Sequence, residues 1–263
     1  MEYSHFDCLG FKMEEQSDMI KILDDTLPKA EGFNKAGREF TLFDDEGIQI
    51  SCGFKNGKIQ TMNPHFEGKS RNKVAINKME VDAHLDCKVY AWIQPDESLQ
   101  DGMSPMIFNF PDFFRSDNCP EEKISDSLAG WFTRLFRKPK TEIPSMQTIQ
   151  LAAFPEEITF YANEAAYDKE QPDIEGTGLK LGKEFFIPAG MFADKNEPVA
   201  QLSGEVKEVK LVPNSLTGNK FYHILLEGIL DFDVVIPEFA VEQTIKKGNI
   251  IKGTFWLSGK IIQ

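Results

Sequence analysis

Asp82, His84 and Asp86 stand at alternate positions and form the most chemically suggestive string in the chain. Alternate residues of an extended strand share one face, about 7 Å apart. Two carboxylates and an imidazole so placed could converge on a hard or borderline metal ion and serve a metal-dependent hydrolase. The same spacing also describes the solvent face of a half-buried strand, where charge needs no chemistry. A second set is Lys220, Tyr222, Phe232, Lys252 and Trp256, near Lys207, Lys210, Phe221 and Phe255. Aromatic rings beside lysines are the equipment of single-strand binders, which stack bases on rings and follow the backbone with cations. Strand aromatics are equally the ordinary filling of a core.

Beyond these, chemistry is sparse. There is no GxSxG elbow, no GxxxxGK[ST] loop, no GxGxxG and no HExxH. His5 lies three residues from Cys8, which reads as a buried strand cysteine, and Glu156-Glu157 reads as a solvated turn. The basic run Arg134-Leu135-Phe136-Arg137-Lys138 reads as complementing the dipole at a helix C-terminus. No catalytic residue is assigned, no cofactor is implied, and the balance leans away from an enzyme.

The elements that would position these residues follow from periodicity. A strand is expected over Phe6–Phe11, then a helix from about Glu14 carrying Met19, Ile20, Leu23 and Leu27, stopped by Pro28. Strands at Phe40–Phe43, Ile48–Phe54 and Lys58–Met62 complete a β-α-β-β-β unit, with Asn56-Gly57 as the hairpin turn. Met79 to Ile93 alternates apolar and polar without a break and predicts one long strand carrying Asp82, His84 and Asp86 on its polar face. Residues 94–120 read as a loop around the apolar segment Met106–Phe110. A helix is expected from Pro120 to Lys138, followed by strands at Ile149–Phe154 and Ile158–Tyr161. An acidic loop at Asp168–Gly178 and a strand pattern over Leu179–Pro188 come next.

Charge divides the chain. The formal net charge is −13, yet after residue 197 seven lysines balance seven acidic residues. Two domains are expected: an acidic α+β domain over 1–196 and a smaller module over 197–263. The fold class is therefore α+β and β-rich, a mostly antiparallel sheet entered through the N-terminal unit. The module reads as strands at Ala200–Val212, Lys220–Leu226 and Asp231–Ile236, a short helix from Pro237, then strands at Ile250–Leu257 and Lys260–Ile262. Three strands, a helix and two strands, with the run Lys246-Lys247-Gly248-Asn249-Ile250-Ile251, resemble an OB-fold. The resemblance implies a five-stranded barrel that binds oligonucleotides or oligosaccharides. The whole chain also resembles uncharacterised clostridial proteins through Gly10-Phe11 near its start and Trp256-Leu257-Ser258-Gly259 near its end; that resemblance implies a bacterial protein and no activity.

An excess of acid repels nucleic-acid phosphates and the anionic membrane leaflet. It suits a basic protein partner, and leaves nucleic acid only the C-terminal module. Four scattered cysteines, no run of ~20 apolar residues and no basic leader at Met1–His5 point to the cytoplasm. The first expectation is a non-enzymatic binding protein, followed by ligand binding on the OB-like module and then by the metal-dependent hydrolase.

Overall fold

A computed structural model of the chain describes residues 3–35, 38–82, 84, 86–115, 143–172, 180–189 and 197–262. The helix expected over Pro120–Lys138 lies outside the described residues. The chain is β-rich, and no helix among the described residues is long and apolar enough to cross a membrane.

The N-terminal part differs from the expected β-α-β-β-β unit at its first element. Residues Asp7–Leu9 form a 3-10 turn, closed by Gly10 at φ 80°. The cause is local: Asp7 Oδ2 accepts from both the N–H and the hydroxyl of Ser4, a reciprocal cap that favours a turn over a strand. Helix α1 (Gln16–Thr26) follows, its first turn capped where Asp18 accepts from the N–H groups of Glu14 and Glu15. Its buried residues are Ile22 and Thr26, whereas Ile20 of the expected stripe faces solvent. Strands β1 (Glu31–Lys35), β2 (Arg38–Asp45), β3 (Ile48–Lys55) and β4 (Lys58–Phe66) then form an antiparallel four-stranded sheet in sequence order. Asn56 and Gly57 turn β3 into β4 with positive φ at both residues, as the hairpin signal requires.

The second sheet holds β5 (Asn72–Val81), β6 (Cys87–Pro95), β7 (Gly102–Asn109), β8 (Ser145–Tyr161), β9 (Phe185–Pro188), β10 (Val199–Pro213), β11 (Lys220–Glu227), β12 (Asp231–Pro237) and β13 (Ile250–Ile262). Helix α2 (Glu164–Glu170), capped by the Asn163 side chain, takes up the start of the expected acidic loop. The long strand expected over Met79–Ile93 is two antiparallel strands, β5 and β6. Their turn closes through the Asp82 N–H on the Asp86 carbonyl, 3.0 Å, so the polar face of a single strand does not form. The expected pairs Ile149–Phe154 with Ile158–Tyr161, and Ile250–Leu257 with Lys260–Ile262, are each one unbroken strand. The helix expected after Pro237 is a single 3-10 turn, Glu238–Ala240.

The module after residue 197 thus supplies four strands, and these share one sheet with what precedes them. β13 pairs with β8 along its whole length, Ile250 opposite Tyr161 to Ile262 opposite Thr148. Around this central ladder the sheet is laid out twice. β5, β6, β7 and β8 repeat the order of β10, β11, β12 and β13: an antiparallel three-stranded meander, a connection, and a long strand pairing back on the first. The first strand of each unit bulges against the second, between Ile76 and Lys78 and between Val206 and Glu208. Aligning the bulges carries Ile76 onto Val206 and, through the ladders, Ala91 onto Leu226 and Met106 onto Phe232, all buried. The third strand of each unit runs parallel to the long strand of the other, Asn109 beside Ser258 and Asp233 beside Ala152. Hydrogen bonding therefore closes two circuits, β5-β6-β7-β13-β8 and β10-β11-β12-β8-β13, that hold β8 and β13 in common.

One apolar core spans both units, from Ile76, Val89 and Phe108 to Ile224, Phe232 and Phe255. A second core seats the N-terminal sheet, through Phe43, Ile50 and Phe66, on Ala152, Phe154, Phe221 and Val235.

Candidate functional site

Carried one step further, the alignment of the two units meets a shared sequence. Met106 and Phe232 correspond, so Pro111-Asp112-Phe113 falls on Pro237-Glu238-Phe239; a glycine stands nine residues before each proline, Gly102 within β7 and Gly228 in the turn after β11. In each unit the Pro-acid-Phe turn follows the third strand and lines a cavity against the N-terminal part of the chain.

In the first unit that cavity is filled. Pro111 and Asp112 face Leu42, Gln49, Ser51 and His65 of β2, β3 and β4 across a gap too narrow for a water molecule, with Gly259 and Lys260 beside them. Gln49 donates to Asp44 (2.7 Å) and Glu67 (2.9 Å), and Lys260 donates to Glu67 at 2.6 Å. Asp112 Oδ1 has no hydrogen-bond partner among the described residues. Burial pushes its carboxyl up to about 6, against the opposing pull of Lys260 and Arg115. His65 Nδ1 lies 2.9 Å from Ser258 Oγ. Burial, helped by Lys260, lowers the His65 pKa to about 4. Serine beside histidine invites a nucleophilic reading, but Ser258 is 0% exposed, and the pair joins β4 of one sheet to β13 of the other.

Beside it lies the most heavily bonded carboxylate. Asp233 accepts from the N–H groups of Lys69 and Ser70, from Gln150 (all 2.8 Å) and from His223 at 2.7 Å. Burial alone would raise its pKa; these bonds outweigh burial and hold it below the usual carboxylate range. A side chain at Gly68 would collide with this carboxylate at 2.1 Å, so only glycine lets the loop approach.

In the second unit the equivalent place is open. A groove of about 380 Å³ is lined by Pro237, Glu238 and Phe239, by Gly10, Phe11 and Lys12, and by Gly218, Asn219 and Lys220. The floor is rigid: the Gly10 carbonyl accepts from Thr217 and Asn219, and the Leu9 carbonyl from Asn214. Phe239 is 56% exposed and meets Tyr3 edge to face, with 6.4 Å between ring centres. Lys12 pairs with Glu14, and Asp7 is held by Ser4 and the Met13 N–H. Glu238 and Lys220 make no ion pair among the described residues.

The residues singled out from sequence are dispersed. Asp82, His84 and Asp86 sit at the β5–β6 hairpin tip. Asp82 Oδ1 accepts from the N–H groups of His84 (2.8 Å) and Asp86 (3.1 Å), and Asp86 accepts from Thr61 and Asn63 of β4. Among the described residues no group of three His, Cys, Asp or Glu side chains could hold a metal ion. Phe232 is in the core. Trp256 is stacked on His5, 4.7 Å between centres. Lys252 donates to Gln171 over the Phe185 ring, and Tyr222 is half-buried among strands. Of the five, Lys220 alone lines the groove. Lys207, expected beside them, is bridged to Glu205 and Glu227. The Pro-acid-Phe pair escapes motif and periodicity; its signal is the recurrence of Gly, Pro, acid and Phe at one spacing, Gly102…Pro111-Asp112-Phe113 and Gly228…Pro237-Glu238-Phe239.

Comparison with protein-family models, with curated proteins and with solved structures finds no match.

Proposed function

We propose that this is a non-enzymatic binding protein whose site is the groove beside Phe239. One observation carries the reading: of two equivalent turns, one is covered by the chain itself and the other faces a cavity of about 380 Å³, within the usual range for binding sites. Residue 197 then marks the approach to a second unit, and the cytoplasm and a basic partner remain the setting that composition favours. Amide-resolved NMR with a fragment library tests it. Shifts should cluster on residues 10–12, 218–220 and 238–239, and vanish for Phe239→Ala. Hits confined to other surfaces, or none, refute it.

A second reading, an OB-like barrel binding oligosaccharide or single-stranded nucleic acid, is favoured by the circuit β10-β11-β12-β8-β13, in which β8 takes the fifth place. The bridging of Lys207 and the engagement of Lys252 weigh against a phosphate track. Glycan and oligonucleotide panels that give no signal would dismiss it.

A further inference from the structure

We infer that Asn56 is a site of spontaneous covalent modification, at which the β3–β4 turn converts asparagine to a mixture of aspartate and isoaspartate. The site is separate from the groove and from the function proposed for it.

Asparagine is a thermolabile residue, and its conversion needs only its own amide, the next main-chain nitrogen and water. The Gly57 nitrogen attacks Cγ of Asn56, a bond forms between them, and the Cγ–Nδ2 bond breaks. Ammonia leaves with the proton given up by the Gly57 N–H, and a five-membered succinimide remains. Water then opens the ring at either carbonyl. Opening at Cγ restores the main chain as aspartate. Opening at the carbonyl carbon of residue 56 leaves the chain running through Cγ, as isoaspartate.

Three features select Asn56. It is the one asparagine followed by glycine, so no Cβ shields the attacking nitrogen. Residues 55–59 are exposed, and a Cβ built on Gly57 would meet nothing within 4 Å. Attack requires the peptide between the two residues to rotate out of its turn geometry, φ 53° and 71°, and the exposed tip leaves room for that. Among the described residues no hydrogen bond holds the Asn56 side chain or the Gly57 N–H.

Other asparagines lack this combination. Asn214, before Ser215, is buried, donates to the Leu9 carbonyl and accepts from the N–H groups of Leu216 and Thr217. Asn63, Asn72, Asn77, Asn219 and Asn249 are each tied by a side-chain hydrogen bond. Asn34 is exposed but precedes a lysine. Conversion puts a carboxylate between Lys55 and Lys58, which are partners across the turn. Isoaspartate also adds a methylene to the backbone. A two-residue turn has no slack for it, so the ladder opens at this tip.

The test incubates the folded full chain at pH 8 and at pH 6, beside Asn56→Gln, and maps its peptides by mass spectrometry. Conversion at Asn56 should exceed that at every other asparagine at least tenfold, and should slow severalfold at pH 6, where less of the Gly57 amide is deprotonated. The product should accept a methyl group from S-adenosylmethionine through an isoaspartyl methyltransferase, and Asn56→Gln should abolish that labelling. An Asn56 that stays intact, conversion at Asn214 keeping pace with it, or labelling that survives in Asn56→Gln overturns the inference.

Discussion

Pro111-Asp112-Phe113 and Pro237-Glu238-Phe239 close equivalent strands of two units built to one plan, yet they face different surroundings. In the first unit the four-stranded sheet packs over the turn, half-buries Asp112 and leaves its Oδ1 without a hydrogen bond among the described residues. In the second, Glu238 is solvated and Phe239 exposed beside an open groove. A duplicated layout fixes the backbone position of a site; its chemistry is decided by whatever packs above it.

Four experiments would break or sharpen this contrast. The largest effect belongs to Asp233, which ties the second unit to the loop before β5 and whose counterpart in the first unit is Ile107. Asp233→Ala leaves His223, Gln150 and two buried N–H groups without their acceptor. It should cost about 3–5 kcal/mol in urea unfolding; a loss under 1 kcal/mol would mean the tie is dispensable.

Next come His5 and His65. His5, held against Trp256 and Phe154, is lowered by burial from 6.5 to about 4, as is His65. The unfolded chain takes up these protons near pH 6.5 and the folded protein only near pH 4. Their stabilisation is complete above pH 6.5 and is lost as pH falls toward 4, about 3 kcal/mol for each at most. Thermal melts between pH 7 and 4 should show the decline, and His65→Gln should remove part of it. A flat profile would contradict the burial of both.

Asp112 has the opposite sign. With a folded pKa near 6 against 3.8 unfolded, its charge opposes folding above pH 6. Asp112→Asn should stabilise the protein by about 1–3 kcal/mol at pH 8 and much less at pH 4. Glu238→Gln should change stability by less than about 0.5 kcal/mol at either pH. Equal responses would erase the difference between the covered and the open turn.

The smallest effect belongs to one close backbone approach in each unit. A Cβ on Gly102 of β7 would lie 2.7 Å from the Ile93 carbonyl oxygen of the second strand, and one on Gly228, in the turn after β11, 2.8 Å from that of Ser203 of the first strand. Gly102→Ala and Gly228→Ala should each cost about 1–2 kcal/mol by chemical denaturation. No measurable cost at either would show that the backbone there gives way freely.

Elements with turn chemistry of their own could be read from sequence: α1 from its apolar spacing and Pro28, and the β3–β4 hairpin from Asn56-Gly57. The β5–β6 hairpin could not, because the apolar alternation continues through Ala83 and Leu85 and the turn is made by the Asp82 carboxylate, without glycine. The 3-10 turn at Asp7 hid behind apolar Phe6, Cys8, Leu9 and Phe11, although Ser4 and Asp7 carry the capping pattern. The β8–β13 ladder joins residues a hundred positions apart, a separation at which local pattern is silent. The candidate site was hidden for the same reason: Lys220 was noticed as a strand lysine, but its neighbours in the groove, Lys12 and Phe239, meet only after folding.

β13 has a consequence in time as well as in space. Its residues are made last of the described strands, and both hydrogen-bonded circuits need it. A nascent chain can form the two meanders and the N-terminal sheet, but neither circuit closes until Ile250–Ile262 has been synthesised and has reached β8. Contacts of such long sequence separation are slow to form. Until then the edges of β8 and β10 stay unpaired, the stage at which a β-rich chain is most prone to aggregate.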